Sequence, residues 1–466
     1  MRDMARVFLL AGCAVAASAA LAADVTVDFA KGLGRVKRLN GLCNTAVINN
    51  TMHAKSDQLA AFTELELPCC RYHDAALVNP GFALVDISRI FPLFHLDADD
   101  PRNYNFKPTD DYILRTLETG AEVEFRFGES IEHSKNRYRV NVPPDMDKLA
   151  SICVHIVRHY NAGWADGYRL GIRRWSVWEE PDLDQILYTP DGKQFDAYAR
   201  MYRVIATAVK REFPDVLIGG PEDCCSPDFR RDFVKLCRDE RLPLDFVMFD
   251  CYTRDPEDLY RQICETRKMM DGFGFSGARL GVSEWHYGPT SFQDLNNNPK
   301  KAARTRSDLT GIDAAAYAAS VLSRMQDAPA DDLFYYAATG ATWGLLRGSE
   351  KLPVYYVFKA FAALAAKGEA ERVDAPSRAG VGRYVLAAKH GGRGFALVTN
   401  FKRGDDCRVL ARGAASARPA SVKLIDDAES LAETTGWELD SKTGELVLIA
   451  PISCPSAVWL VEWALP

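Results

Sequence analysis

The stretch Arg174-Trp175-Ser176-Val177-Trp178-Glu179-Glu180-Pro181-Asp182 reads as a short apolar strand that ends in two acids and a proline. A helix is predicted next, over 194–211. There Phe195, Tyr198, Tyr202, Ile205 and Val209 recur at three- and four-residue steps until Pro214 stops the pattern. This strand-then-helix unit repeats on both sides. Strands are predicted at 39–43, 68–73, 121–127, 174–178, 216–220, 246–251, 280–285 and 333–338, with further helices at 109–120, 146–160, 227–241, 256–270 and 311–327. Thr109-Asp110-Asp111 supplies the expected N-terminal cap of the first of these helices. Eight strands, most followed by a helix, over roughly 300 residues is the count of a (β/α)8 TIM barrel, spanning residues 30–350. An open doubly wound sheet is the rival. It expects a glycine-rich phosphate loop after the first strand, and neither G-x-G-x-x-G nor G-x-x-x-x-G-K-[ST] stands there.

Past Pro353 the texture changes. One linking helix near 357–366 is followed by alternating apolar runs at 384–388, 394–400, 421–426, 445–449 and 457–463. This predicts an accessory antiparallel β-sandwich within 351–466. The alternation Val25-Thr26-Val27-Asp28-Phe29 offers one more strand to it from residues 24–29. At the N-terminus, Arg2 and Arg6 precede an apolar run over 7–23 that closes on Ala20-Leu21-Ala22. That is the pattern of a signal peptide over 1–22 and predicts a secreted or periplasmic protein. Leu10-Ala11-Gly12-Cys13 is similar to a lipoprotein box, but the apolar run continues past Cys13, so a lipid anchor is the less favoured reading. No later stretch is long and apolar enough to span a bilayer.

Composition narrows the partners. Apolar residues at 47% and charged residues at 26% are enough for a large core and too apolar for disorder. The net charge of −6 argues against nucleic acid, which demands a basic excess. Eleven cysteines follow Cys13, an odd number without C-x-x-C spacing, so buried thiols acting as small apolar fillers are expected rather than a zinc site. The acids Asp97, Asp99, Asp100, Asp110 and Asp111 lack the calcium-loop spacing and read as a solvated loop and helix cap. No metal and no cofactor is expected.

In a barrel of this kind the chemistry sits where strands end, at the C-terminal rim. Two predicted strands end in acids there. The fourth closes on Glu179-Glu180, and the seventh on Ser283-Glu284-Trp285-His286. Two carboxyls facing one cavity are what glycoside hydrolysis needs. One protonates the leaving oxygen, and the other attacks the anomeric carbon or activates water. A single acid after an apolar strand is usually a solvated rim residue; two, flanked by tryptophans, favour chemistry. Trp178, Trp285 and Trp343 offer aromatic faces for a sugar ring.

Trp178-Glu179-Glu180-Pro181-Asp182 resembles the W-N-E-P-[ND] segment of clan A glycoside hydrolases, and Ser283-Glu284-Trp285 resembles their [ST]-E-W segment. Four further stretches narrow the resemblance to glycoside hydrolase family 39, the β-xylosidases and α-L-iduronidases. They are Arg71-Tyr72-His73-Asp74, Gly219-Gly220-Pro221, Asp245-Phe246-Val247 with Tyr252, and Trp343-Gly344-Leu345 ahead of Lys359-Ala360-Phe361. The similarity runs in order over about 38–365. It implies Glu180 as acid/base, Glu284 as nucleophile and retention of anomeric configuration. It also implies substrate contacts from Arg71, His73, Glu179, Tyr252, Trp285, His286 and Trp343.

Two positions depart from the family pattern. Glu179 stands where an Asn precedes the acid/base, and Asp250 stands where an H-x-Y segment has its His. Both add negative charge beside two carboxyls, which favours a protonated Glu180 and opposes an ionised Glu284 unless Arg71, His73 or His286 offsets it. The expected function is retaining hydrolysis of xyloside-, arabinoside- or galactoside-like side chains of plant or similar polysaccharides. The alternative is a carbohydrate-binding barrel that has lost turnover. The separation of the two carboxyls distinguishes retention, at about 5–5.5 Å, from inversion, at about 6.5–9.5 Å.

Overall fold

The computed structural model describes residues 23–45, 48–51, 54–73, 84–224, 226–290, 298–340 and 342–466. Residues 1–22, where a signal peptide is expected and Cys13 lies, and also Asp74 and Cys225, are outside the described residues.

Eight parallel strands close into a barrel in chain order: Gly41–Cys43, Cys69–Arg71, Glu122–Phe127, Arg174–Val177, Leu217–Asp223, Phe246–Thr253, Arg279–Tyr287 and Asp332–Tyr335. Each predicted strand overlaps one of them. The barrel interior packs Cys43, Cys69, Phe246, Met248, Phe334 and Ala337 against one another. At its N-terminal end, Arg174 and Arg279 both pair with Asp332, at 2.8 and 2.7 Å. The outer helices follow their strands with apolar faces inward, as in Gln194–Glu212, where Tyr198, Tyr202, Ile205 and Val209 are buried. The helix predicted from residue 109 starts two residues earlier, at Lys107 with Pro108 in its first turn. Proline's fixed φ suits that place, so Asp110 lies inside the helix and pairs with His159 at 3.0 Å instead of capping.

The last barrel helix, Pro353–Ala365, and Ile312–Arg324 carry the accessory domain. The expected two-layer packing is present, but it comes from one continuous ten-stranded sheet rather than two. Val25–Arg35 is the reason. It pairs antiparallel with Glu371–Asp374 on one side and parallel with Cys407–Arg412 on the other, joining what would have been separate layers. The twist of so wide a sheet curls it around its own core. Alternation along Ala457–Ala464 shows both faces at work. Trp459, Val461 and Trp463 fill the inside of the curl, while Val458 and Leu460 join the barrel's core. Every described cysteine is a free thiol, and most are buried.

Candidate active site

The barrel mouth gathers acids and bases from strands two to seven. Barrel strand two delivers Arg71 and, just beyond it, His73. Strand four delivers Glu179 and Glu180, strand six Asp250 and Tyr252, and strand seven Glu284. The chain turns sharply after strand four, with Trp178 at φ 66° and Glu180 at φ 35°. Such left-handed backbone is costly for residues with a Cβ and is kept where the surroundings hold it. Here Glu180 N–H donates to the Glu222 carbonyl at 2.9 Å, and the Trp178 indole donates to the Ile186 carbonyl at 2.9 Å.

Glu284 is the most heavily supported group. His73 Nε2 lies 2.7 Å from its Oε1, Arg71 Nη1 donates to the same oxygen at 3.2 Å, and the Tyr252 hydroxyl donates to Oε2 at 2.6 Å. Burial alone would raise its pKa. His73, Arg71 and Tyr252 outweigh burial and hold the carboxyl below its ordinary range. Glu180 moves the other way. Burial, then the charge of Glu284, push it up to about 8. Carboxylate oxygens of Glu180, Asp250 and Glu284 all lie within 4.8 Å of one another. Among the described residues this trio has metal-ligand spacing, but the Arg71 guanidinium already sits on Glu284, with His73 Nε2 on the same oxygen, which opposes a cation there.

The structure answers where the extra charge of Glu179 goes. Glu179 is fully buried, with Arg126 Nε 3.2 Å and His73 Nε2 3.5 Å from its Oε2. Arg126 is held in turn by the His73 carbonyl at 2.9 Å and Asp86 at 3.2 Å. Glu222, on strand five, pairs closely with Arg71. Sequence reasoning missed both Arg126 and Glu222. Each had a signal: Arg126 alternates with Phe125 and Phe127 in the strand Glu122–Phe127, and Glu222 directly follows Gly219-Gly220-Pro221.

Two of the expected sugar contacts sit elsewhere. Trp285 is fully buried and packs edge-on against Tyr335, at 4.9 Å between ring centroids. His286 is fully buried too. Its Nδ1 donates to the Tyr287 carbonyl at 3.0 Å and its Nε2 accepts from Tyr335 at 2.6 Å. Burial pulls His286 down to about 4, so it is a neutral brace and not a cation offsetting the acids. For Trp285 the cause is a shift in strand register between Val282 and Glu284, which aims Glu284 into the mouth and turns Trp285 into the wall; His286 is held by its bonds to Tyr287 and Tyr335. Trp178 is likewise a wall residue. Trp343 is half-buried and stands edge-on to His286 and Tyr252, at 5.0 and 5.9 Å between centroids. Tyr336, unremarked in the sequence, stands 5.3 Å from the His73 ring.

The family model for glycosyl hydrolases family 39 matches residues 62–341. The chain belongs to this family. A β-xylosidase of Geobacillus stearothermophilus is 28% identical to this family 39 chain, over 46% of each protein, so the chain spans about half the length of that relative. Two solved structures share the fold over nearly their whole length. A glucosidase from Croceicoccus marinus, 20% identical, covers 95% of this chain and 98% of its own with a TM-score of 0.72. A family 39 β-xylosidase from Caulobacter crescentus, 16% identical, covers 94% and 99% with a TM-score of 0.67.

Proposed function

We propose that the protein is a retaining glycoside hydrolase acting on neutral xyloside-, arabinoside- or galactoside-like ends. The observation that carries this reading is the pair Glu180 and Glu284, whose oxygens approach within 4.8 Å while their environments push their proton affinities apart. That approach suits the short separation of retaining enzymes better than the wider gap of inverting ones. An ionised Glu284 beside a protonated Glu180 is the starting state that double displacement needs. Glu284 attacks the anomeric carbon as the bond to the leaving oxygen breaks, and that oxygen takes the proton of Glu180. The Glu180 carboxylate then removes a proton from water, which attacks the same carbon and frees Glu284.

Arg126, the cation nearest to Glu179, favours turnover over a barrel that only binds sugar, since it leaves the closer contacts of His73 and Arg71 to Glu284. Membership of family 39 and the likeness to a β-xylosidase support a pentoside-type substrate. The leader pattern supports export. The test is hydrolysis of aryl xylosides, arabinosides, galactosides and uronides of both anomers by the wild type, Glu180→Gln and Glu284→Gln. Turnover of one sugar that falls by about three orders of magnitude in Glu284→Gln, with retained configuration in the first-formed product, is expected. An inverted product would overturn the mechanism.

A further inference from the structure

Strand six alternates Phe246, Met248, Asp250 and Tyr252 toward the barrel axis. The first two belong to the interior cluster, and the two-residue period carries Asp250 to the floor of the mouth, level with Glu284 on strand seven. There Ser283 Oγ donates to Asp250 Oδ1 at 2.6 Å. Asp250 Oδ2 is buried and has no hydrogen-bond partner among the described residues. The described cations of the mouth are committed elsewhere: Arg71 to Glu222 and Glu284, His73 to Glu284 and Glu179, and Arg126 to Glu179 and Asp86. Three carboxyls whose oxygens lie within 4.8 Å cannot all be ionised, and Glu284 holds the cationic contacts. At least one proton is therefore held there, and Asp250, whose buried Oδ2 meets no donor among the described residues, is where it stays. Burial, followed by the charges of Glu284 and Glu180, pushes Asp250 well above the ordinary carboxylate range, in agreement with this geometry.

We propose that Asp250 is a sugar-reading residue whose Oδ2–H donates a hydrogen bond to a ring-hydroxyl oxygen of a neutral glycone seated between Glu180 and Glu284. The inference rests on the glycosidase reading and sharpens it. Ser283 fixes the carboxyl through Oδ1, so Oδ2 is the atom left to face the sugar. A uronide would bring another carboxylate into a mouth whose described cations are already paired.

The test uses the best neutral aryl glycoside, its monodeoxy analogues, and the wild type, Asp250→Asn and Asp250→Ala. The Asn side chain keeps an acceptor for Ser283 and supplies an N–H donor. It should hold kcat/KM within about threefold, whereas Asp250→Ala loses about 10- to 100-fold. One monodeoxy analogue should lose a similar factor with the wild type and nothing further with Asp250→Ala. Asparagine as damaging as alanine, or an alanine loss shared equally by every analogue, overturns the proposal. So does a uronide turned over as fast as the neutral glycoside. If no glycoside is hydrolysed, calorimetric titration of free xylose, arabinose and galactose reads the contact directly. Weaker binding by Asp250→Ala than by the wild type and Asp250→Asn supports the role of Asp250 while removing the glycosidase reading. Equal binding, or none, removes both.

Discussion

Arg126 Nε lies 3.2 Å from Glu179 Oε2, both side chains wholly buried, so the acid introduced beside Glu180 meets a cation from the neighbouring strand. The strand pair Glu122–Phe127 and Arg174–Val177 sets this up, since its register brings Arg126 opposite Ser176, three residues before Glu179. The site's charge is therefore organised as a shared network whose shortest contacts are Arg126 to Glu179, Arg71 to Glu222 and His73 to Glu284, with Arg71 and His73 each reaching a second or third acid.

Arg126→Met should lower unfolding free energy by about 3–5 kcal/mol, because it takes the nearest cation from the buried Glu179, whereas Asp86 keeps Arg139 at 2.8 Å. Glu179→Gln should cost less, since Arg126 keeps the His73 carbonyl and Asp86. Denaturant unfolding of the two variants checks the order. Equal costs would mean that the pair is not the support it looks to be.

The pH profile of kcat/KM should be bell-shaped, with Glu284 ionised and Glu180 protonated across the plateau. Glu180 is raised to about 8, so its proton is lost, and activity with it, as pH climbs through about 8. The acid limb belongs to Glu284 and should lie below the ordinary glutamate value. In Glu180→Ala, a dinitrophenyl glycoside needs no proton on its leaving group. The alkaline limb of its glycosylation step should then disappear.

Tyr252→Phe removes a 2.6 Å hydrogen bond to Glu284 without changing the ring. A hydrogen bond to a charged group is worth about 1.5–3 kcal/mol, which corresponds to a loss of roughly 10- to 150-fold in kcat/KM if the nucleophile depends on it. The acid limb should also move to higher pH, because Glu284 loses a donor that favours its ionised form. A drop in rate with an unmoved acid limb would assign Tyr252 to the substrate instead.

Glu124 lies inside the barrel with neither carboxyl oxygen hydrogen-bonded among the described residues, and burial together with the charge of Glu222 pushes it up to about 8 from an ordinary 4.5. The folded protein then holds a proton that the unfolded chain releases between those values. That stability is present in full below about 4.5 and is lost as pH rises through about 8. Glu124→Gln, neutral at every pH, should flatten the fall of the denaturation midpoint between pH 5 and 8. Parallel slopes for variant and wild type would rule this out.

The strand ends show how far local pattern reaches. Glu180 and Glu284 were legible because each closes an apolar run at a rim where the barrel puts its chemistry, and the helix between strands four and five announced itself by period. Trp285 was misplaced for a local reason with a nonlocal cause. Strict alternation does not say which of three consecutive residues faces inward once pairing with strand six shifts register between Val282 and Glu284. The β-sandwich expectation met a similar fact. Val25–Arg35 pairs with strands more than 300 residues away in sequence, and that pairing makes one sheet of two.

The sequence by itself determined the barrel, its order of strands and the two carboxyls at its mouth, because hydrophobic period and strand termini are written in neighbouring residues. Tertiary structure alone decided what those carboxyls are. Arg126, Glu222 and Asp250 reach the site from three different strands, and proton affinity depends on distances of a few ångströms across a closed barrel that no stretch of chain encodes locally.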